Sequence, residues 1–131
     1  MKTKILLVEE GILLQYVFES LLSSLNCKVD VCKTANEALR KYKKNKSYQL
    51  ILTEIEFTKG FPGSDLAEKI REHENQHFPH KRIPIIGITS TLSNKLEQFY
   101  LDKGMDMIYK KPILKDQLEE ILKIFVGDYN M

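Results

Sequence analysis

The stretch Leu50-Ile51-Leu52-Thr53-Glu54-Ile55-Glu56-Phe57 (LILTEIEF) decides the fold. A short, almost wholly apolar run closed by an acid describes a strand covered on both faces that delivers a carboxylate at its tip. Other runs end in charge too. KILLV (4–8) leads straight into Glu9 and Glu10, and MDMIY (105–109) leads to Lys111 and Pro112. With KVDVC (28–32), QLILT (49–53) and IPIIGI (83–88), the chain has five predicted strands.

Helical patterns separate them. Leu14, Val17, Phe18, Leu21, Leu22 and Leu25 fall on one stripe at helical spacing, expected to face the core. TANEAL (34–39) opens a second helix with a capping box, Thr34 answered by Glu37. A third helix follows Gly63, with Ser64 as the expected N-cap and Leu66, Ala67 and Ile70 facing inward. Leu92, Leu96, Phe99 and Tyr100 mark a fourth, stopped near Gly104, and Leu118, Ile121, Leu122 and Phe125 a fifth. Alternating strands and helices with short links predict an α/β fold, a mainly parallel sheet with helices on both faces.

Bulk properties bound the function. The 131 residues suit one domain, 1–131, and 43% hydrophobic with 29% charged residues is a globular composition. A net charge of +2 gives no electrostatic case for nucleic acid, and no apolar run approaches a membrane span. Cys27 and Cys32 make neither a disulfide framework nor a zinc set, so reduced thiols and a cytoplasmic location are expected. His73, His77 and His80 have a spacing that can bind metal, but they fall on a helix end and loop. The basic run RKYKKNK (40–46) suits a solvated helix end.

In open α/β sheets ligands gather beyond the carboxyl ends of the strands, at the point where strand order reverses. The sequence puts Glu9, Glu10, Glu54, Thr89, Ser90 and Lys111 there. Carboxylates can hold Mg²⁺, while a lysine and a hydroxyl can meet phosphoryl oxygens. The acids are expected to face Lys111 as their one cation.

The segments ILLVEE, LILTEIEF, PIIGITS and GMDMIYKKPI, over about residues 3 to 126, resemble the receiver domain of two-component response regulators. The style of GSDLAEKIRE and GMDMIYKKPI is similar to receivers of hybrid sensor kinases. The resemblance implies a flavodoxin-like, doubly wound five-stranded parallel sheet of order 2-1-3-4-5, as in chemotaxis receivers. It implies a signalling role, not an enzyme, with a sensor histidine kinase, a histidine phosphotransfer protein or another signalling protein as partner. It puts Glu9 and Glu10 at the acidic pair for Mg²⁺ and Glu54 at the phosphoacceptor. Thr89 and Lys111 stand at the hydroxyl and lysine that meet the phosphoryl group, and Glu56 joins the potential metal ligands.

The departures carry as much meaning. Three aspartates of the family pattern are glutamates here, at 9, 10 and 54. Phe57-Thr58 replaces the usual Met-Pro, and the loop to Gly63 is one residue longer. The position of the family's switch aromatic is Ile108, and Tyr109 beside it faces the other side of its strand. One extra methylene moves a carboxylate by roughly 1.5 Å, enough to spoil in-line attack or an octahedral Mg²⁺ shell. The expected product is a pseudo-receiver acting by protein contact, with Mg²⁺ binding weakened or lost and no other cofactor. Two alternatives stay open: a receiver with weakened phosphotransfer, and a small phosphoryl-transfer or metal-dependent hydrolase on the same fold. The second lacks an Asp-x-Asp pair, a Gly-rich phosphate loop and a cap insertion.

Overall fold

The structure, a computed structural model, describes residues 2–127 and 129. The ends of the expected 1–131 domain, residues 1, 128, 130 and 131, lie outside the described residues. Strands and helices alternate as expected: β1 (Thr3–Val8), α1 (Ile12–Ser24), β2 (Cys27–Cys32), α2 (Ala35–Lys44) and β3 (Leu50–Glu54). They continue with α3 (Gly63–His77), β4 (Ile85–Thr89), α4 (Asn94–Asp102), β5 (Met107–Lys110) and α5 (Lys115–Phe125).

The strands form one parallel sheet of order β2-β1-β3-β4-β5, as the resemblance implies. Alternation along each strand divides the core in two. Ile5, Leu7, Leu50, Leu52, Ile86 and Tyr109 face Phe18 and Leu22 of α1 and Leu118 and Leu122 of α5. Leu6, Val8, Ile51, Ile85 and Ile108 face Ala38 of α2, Leu66 and Ile70 of α3 and Tyr100 of α4. Tyr109 and Ile108 therefore do lie on opposite faces. Cys27 and Cys32 do as well, which excludes a bond between them, and burial pushes their thiols up to about 11 and about 12.

Three local expectations need correction. Pro62, not Ser64, stands at the N-cap of α3, and Ser64 is buried in the first turn. The cause is the packing of Gly63 on β3: its amide bonds the Ile55 carbonyl at 2.7 Å, and a Cβ there would collide with the Glu54 carbonyl. The helix must start where the chain touches the strand. Thr34 does cap α2, accepting from the Glu37 amide at 3.1 Å.

The α1 stripe is buried only in its second half. Phe18, Leu22 and Leu25 are covered, whereas Leu14 and Val17 are 37% and 44% exposed. The first turns of α1 directly follow the carboxyl end of β1, and the stripe joins the core only from Phe18 onward. Strands 4 and 5 begin at Ile85 and Met107, two residues later than expected; Pro84 has no N–H for a ladder, and the Ile85 amide is taken by the Asp106 carboxylate at 2.8 Å.

Candidate functional site

Strand order reverses between β1 and β3, so Glu9, just past β1, and Glu54, the last residue of β3, meet at the switch point. Lys111 follows β5 and is tied to the sheet by its amide, which bonds the Thr89 carbonyl at 2.8 Å. Its ammonium forms an ion pair with Glu54 Oε1. Glu54 Oε2 is buried and has no hydrogen-bond partner among the described residues.

Glu9 is 2% exposed. Its Oε2 accepts from the Gly11 amide at 2.9 Å, and its backbone carbonyl accepts from Gln15 Nε2 at 2.7 Å. Burial pushes its carboxyl up to about 7, helped by the neighbouring Glu54 carboxylate, against the Gly11 amide and Lys111. A proton on Glu9 would give the pair a donor that Glu54 lacks. Two neighbouring acids thus face one lysine, and the buried Glu9 is the one whose carboxyl is pushed up.

The other expected members turn elsewhere. Glu10 does not face Lys111. Its carboxylate accepts from the Thr58 hydroxyl at 2.7 Å and from the Thr58 amide at 3.2 and 3.3 Å. Glu56 takes the hydroxyl of Thr89, whose Oγ1 lies 2.9 and 3.0 Å from the two carboxylate oxygens. Ser90 lines a groove beside Lys111, with Leu14, Val17, Phe18, Pro112 and Ile113.

Mg²⁺ requires oxygen donors in a nearly octahedral shell. Here one acid is neutralised by Lys111, one prefers a proton, and Glu10 and Glu56 are held by Thr58 and Thr89. Among the described residues no group of three or more His, Cys, Asp and Glu side chains is placed to hold a metal ion. The side chains in this arrangement do not fit a divalent cation. The same holds for the histidines: His73 and His77 stack with centroids 4.4 Å apart, and His73 sits 3.5 Å from Lys46 Nζ.

Sequence reasoning did not anticipate Arg71, Glu74, Asp106 and Arg82, which meet at the opposite edge of the sheet. Arg71 bonds Glu74 and Asp106 at 2.8 Å each, and Arg82 bonds Asp106 at 3.0 Å. The one sequence signal was a buried position for an acid on the inner stripe of α3, four residues after Ile70.

A family model described as "Response regulator receiver domain" matches residues 5–123. The chain is 30% identical over 122 residues to the aerobic respiration control sensor protein ArcB of Escherichia coli, covering 92% of this chain and 15% of that protein. It is 29% identical, over 92% of its length and 7% of the relative's, to hybrid signal transduction histidine kinase L of Dictyostelium discoideum. The chain thus spans less than a sixth of the length of these curated relatives. Among solved structures it resembles the receiver domain of sensor histidine kinase PA1611 from Pseudomonas aeruginosa, which carries a magnesium ion in its active-site cleft. That match has a TM-score of 0.83 at 28% identity, covering 97% of this chain and 99% of the other.

Proposed function

Because the chain belongs to the response regulator receiver family, whose members are signalling domains of two-component phosphorelays, we propose that it is a pseudo-receiver: one domain that signals by protein contact, without taking a phosphoryl group and without enzymatic activity. The ion pair between Glu54 and Lys111 carries this reading. The lysine that would meet a phosphoryl group already has a built-in anion, and the longer glutamate is what reaches it. Mg²⁺, which would screen the phosphoryl oxygens, binds weakly.

The contact surface is the front of α1. Leu13 and Tyr16 are 76% and 68% exposed, next to the exposed Ile12, Leu14 and Val17. A continuous apolar patch of this kind favours a protein partner. The relatives include hybrid signal transduction histidine kinases and a respiration control sensor, which supports a sensor histidine kinase, a histidine phosphotransfer protein or another protein of the same signalling chain as the partner, in the cytoplasm. No helix among the described residues is long and apolar enough to cross a membrane.

One observation favours a weakened but working acceptor instead: Glu54 Oε2 has no partner among the described residues and could attack phosphorus. Intact-protein mass spectrometry after incubation with acetyl phosphate and Mg²⁺ separates the two. Wild type should gain no phosphoryl mass, and Glu54→Asp should gain it in part, with hydroxylamine removing the adduct. A phosphorylated wild type would establish the working acceptor, and turnover of the phosphate donor would establish the hydrolase.

A further inference from the structure

We infer that Glu56 is the residue that positions the Thr89 hydroxyl, so that two carboxylates divide the contacts one phosphoryl group would make, Glu54 on Lys111 and Glu56 on Thr89. This rests on the reading of a pocket that works without phosphate, and it says how the hydroxyl half of the pocket is held.

Thr89 ends β4 and is fully buried, so its hydroxyl must find a partner inside the protein. It has one proton and two acceptors in reach, the Glu56 carboxylate at 2.9 and 3.0 Å and the Thr91 carbonyl at 3.0 Å. The charged acceptor is the stronger one. Donating to Glu56 leaves the oxygen free to accept from the Thr91 amide at 3.2 Å. Glu56 thereby orders the start of the β4–α4 connection. That connection runs two residues further to Ser93, whose hydroxyl caps α4 on the Leu96 amide at 3.2 Å.

The same charge bears on α4: the buried phenol of Tyr100, on that helix, is pushed up first by burial and next by Glu56. An aspartate at 56 would fall roughly one C–C bond, about 1.5 Å, short of the same reach.

NMR on the full chain tests this with the Thr89 γ-methyl and the Thr91 amide as reporters. Glu56→Ala, at an exposed position that should leave the fold intact, moves both signals. Glu56→Gln keeps a carbonyl acceptor and moves them less, while both variants bring the Tyr100 phenol pKa down. Glu54→Gln moves the two reporters less than Glu56→Ala does. Unmoved reporters in Glu56→Ala, or equal movement in Glu54→Gln, overturn the inference. Acetyl phosphate labelling of wild type would overturn the phosphate-free reading alone, because the Thr89 signals are read without any phosphate donor.

Discussion

The two edges of the sheet hold similar side chains and close them in opposite ways. At the amino edge, two acids and two arginines match in charge, and every carboxylate oxygen is used. Glu74 takes Arg71 at 2.8 Å and the Ile83 amide at 2.6 Å. Asp106 takes Arg71 and the Ile85 amide at 2.8 Å on one oxygen and Arg82 at 3.0 Å on the other. At the carboxyl edge, the one lysine pairs with Glu54 and not with Glu9, one Glu54 oxygen has no partner among the described residues, and the Glu9 carboxyl is pushed up to about 7. A closed network specifies structure. An unbalanced one leaves polar groups that a ligand or partner can complete.

The largest expected effect comes from breaking the closed edge. Arg71→Ala leaves Glu74 buried with no cation, and removing one partner of a buried pair typically costs about 3–5 kcal/mol. Arg71 also donates to the carbonyls of Gly104 and Ile83; Gly104 keeps a 3.3 Å bond from Arg82, whereas the Ile83 carbonyl loses its donor. Urea unfolding should show the midpoint falling sharply. A loss under about 1 kcal/mol would mean that this edge is no better closed than the other.

Neutralising the open edge should do the reverse. The Glu9 carboxyl rises from 4.5 to about 7 on folding, so between those pH values the folded protein holds more protons than the unfolded chain. Stability from this group is therefore intact below about pH 4.5, falls as pH rises to about 7, and stays reduced above. The whole penalty is at most roughly 3 kcal/mol. Glu9→Gln keeps an acceptor for the Gly11 amide and gives Glu54 Oε2 a donor. Thermal unfolding in metal-free buffer should find it equal to wild type near pH 4.5 and more stable at pH 8. A constant difference across that range would show that Glu9 does not titrate between the two states.

These two edges were not equally legible in the sequence. The carboxyl edge was, because each residue follows a recognisable strand, and the parallel order then brings Glu9, Glu54, Thr89 and Lys111 together with no further information. Their partners were not. Whether a strand-end glutamate turns to Lys111, Thr58 or Thr89 depends on loop paths that hydrophobic periodicity does not encode. The amino edge was invisible for the same reason, since Asp106 and Glu74 find their partners across 35 and 9 residues of chain. The exposed first turns of α1 misled for another reason. An apolar stripe at helical spacing marks one face of a helix, and it does not say from which turn that face joins the core.

The smallest expected effect lies at the rim of the open edge, and it bears on why that edge is open. Glu10 is half-buried, and Thr58 holds its carboxylate away from Glu9 and Glu54 through one hydroxyl and one amide. Thr58→Val keeps the side-chain shape and the amide but removes the 2.7 Å hydroxyl bond. Such a bond is worth about 0.5–1 kcal/mol, the stability loss expected in urea unfolding. The same free energy stops opposing any competitor for the Glu10 carboxylate. Mg²⁺ affinity measured by titration calorimetry should therefore rise roughly two- to fivefold in Thr58→Val, and Thr58→Ser should restore the wild-type value. If Thr58→Val left Mg²⁺ affinity unchanged, the Thr58 contact would play no part in setting it. Glu10 would then be a satisfied surface acid, closed in the same way as those of the opposite edge.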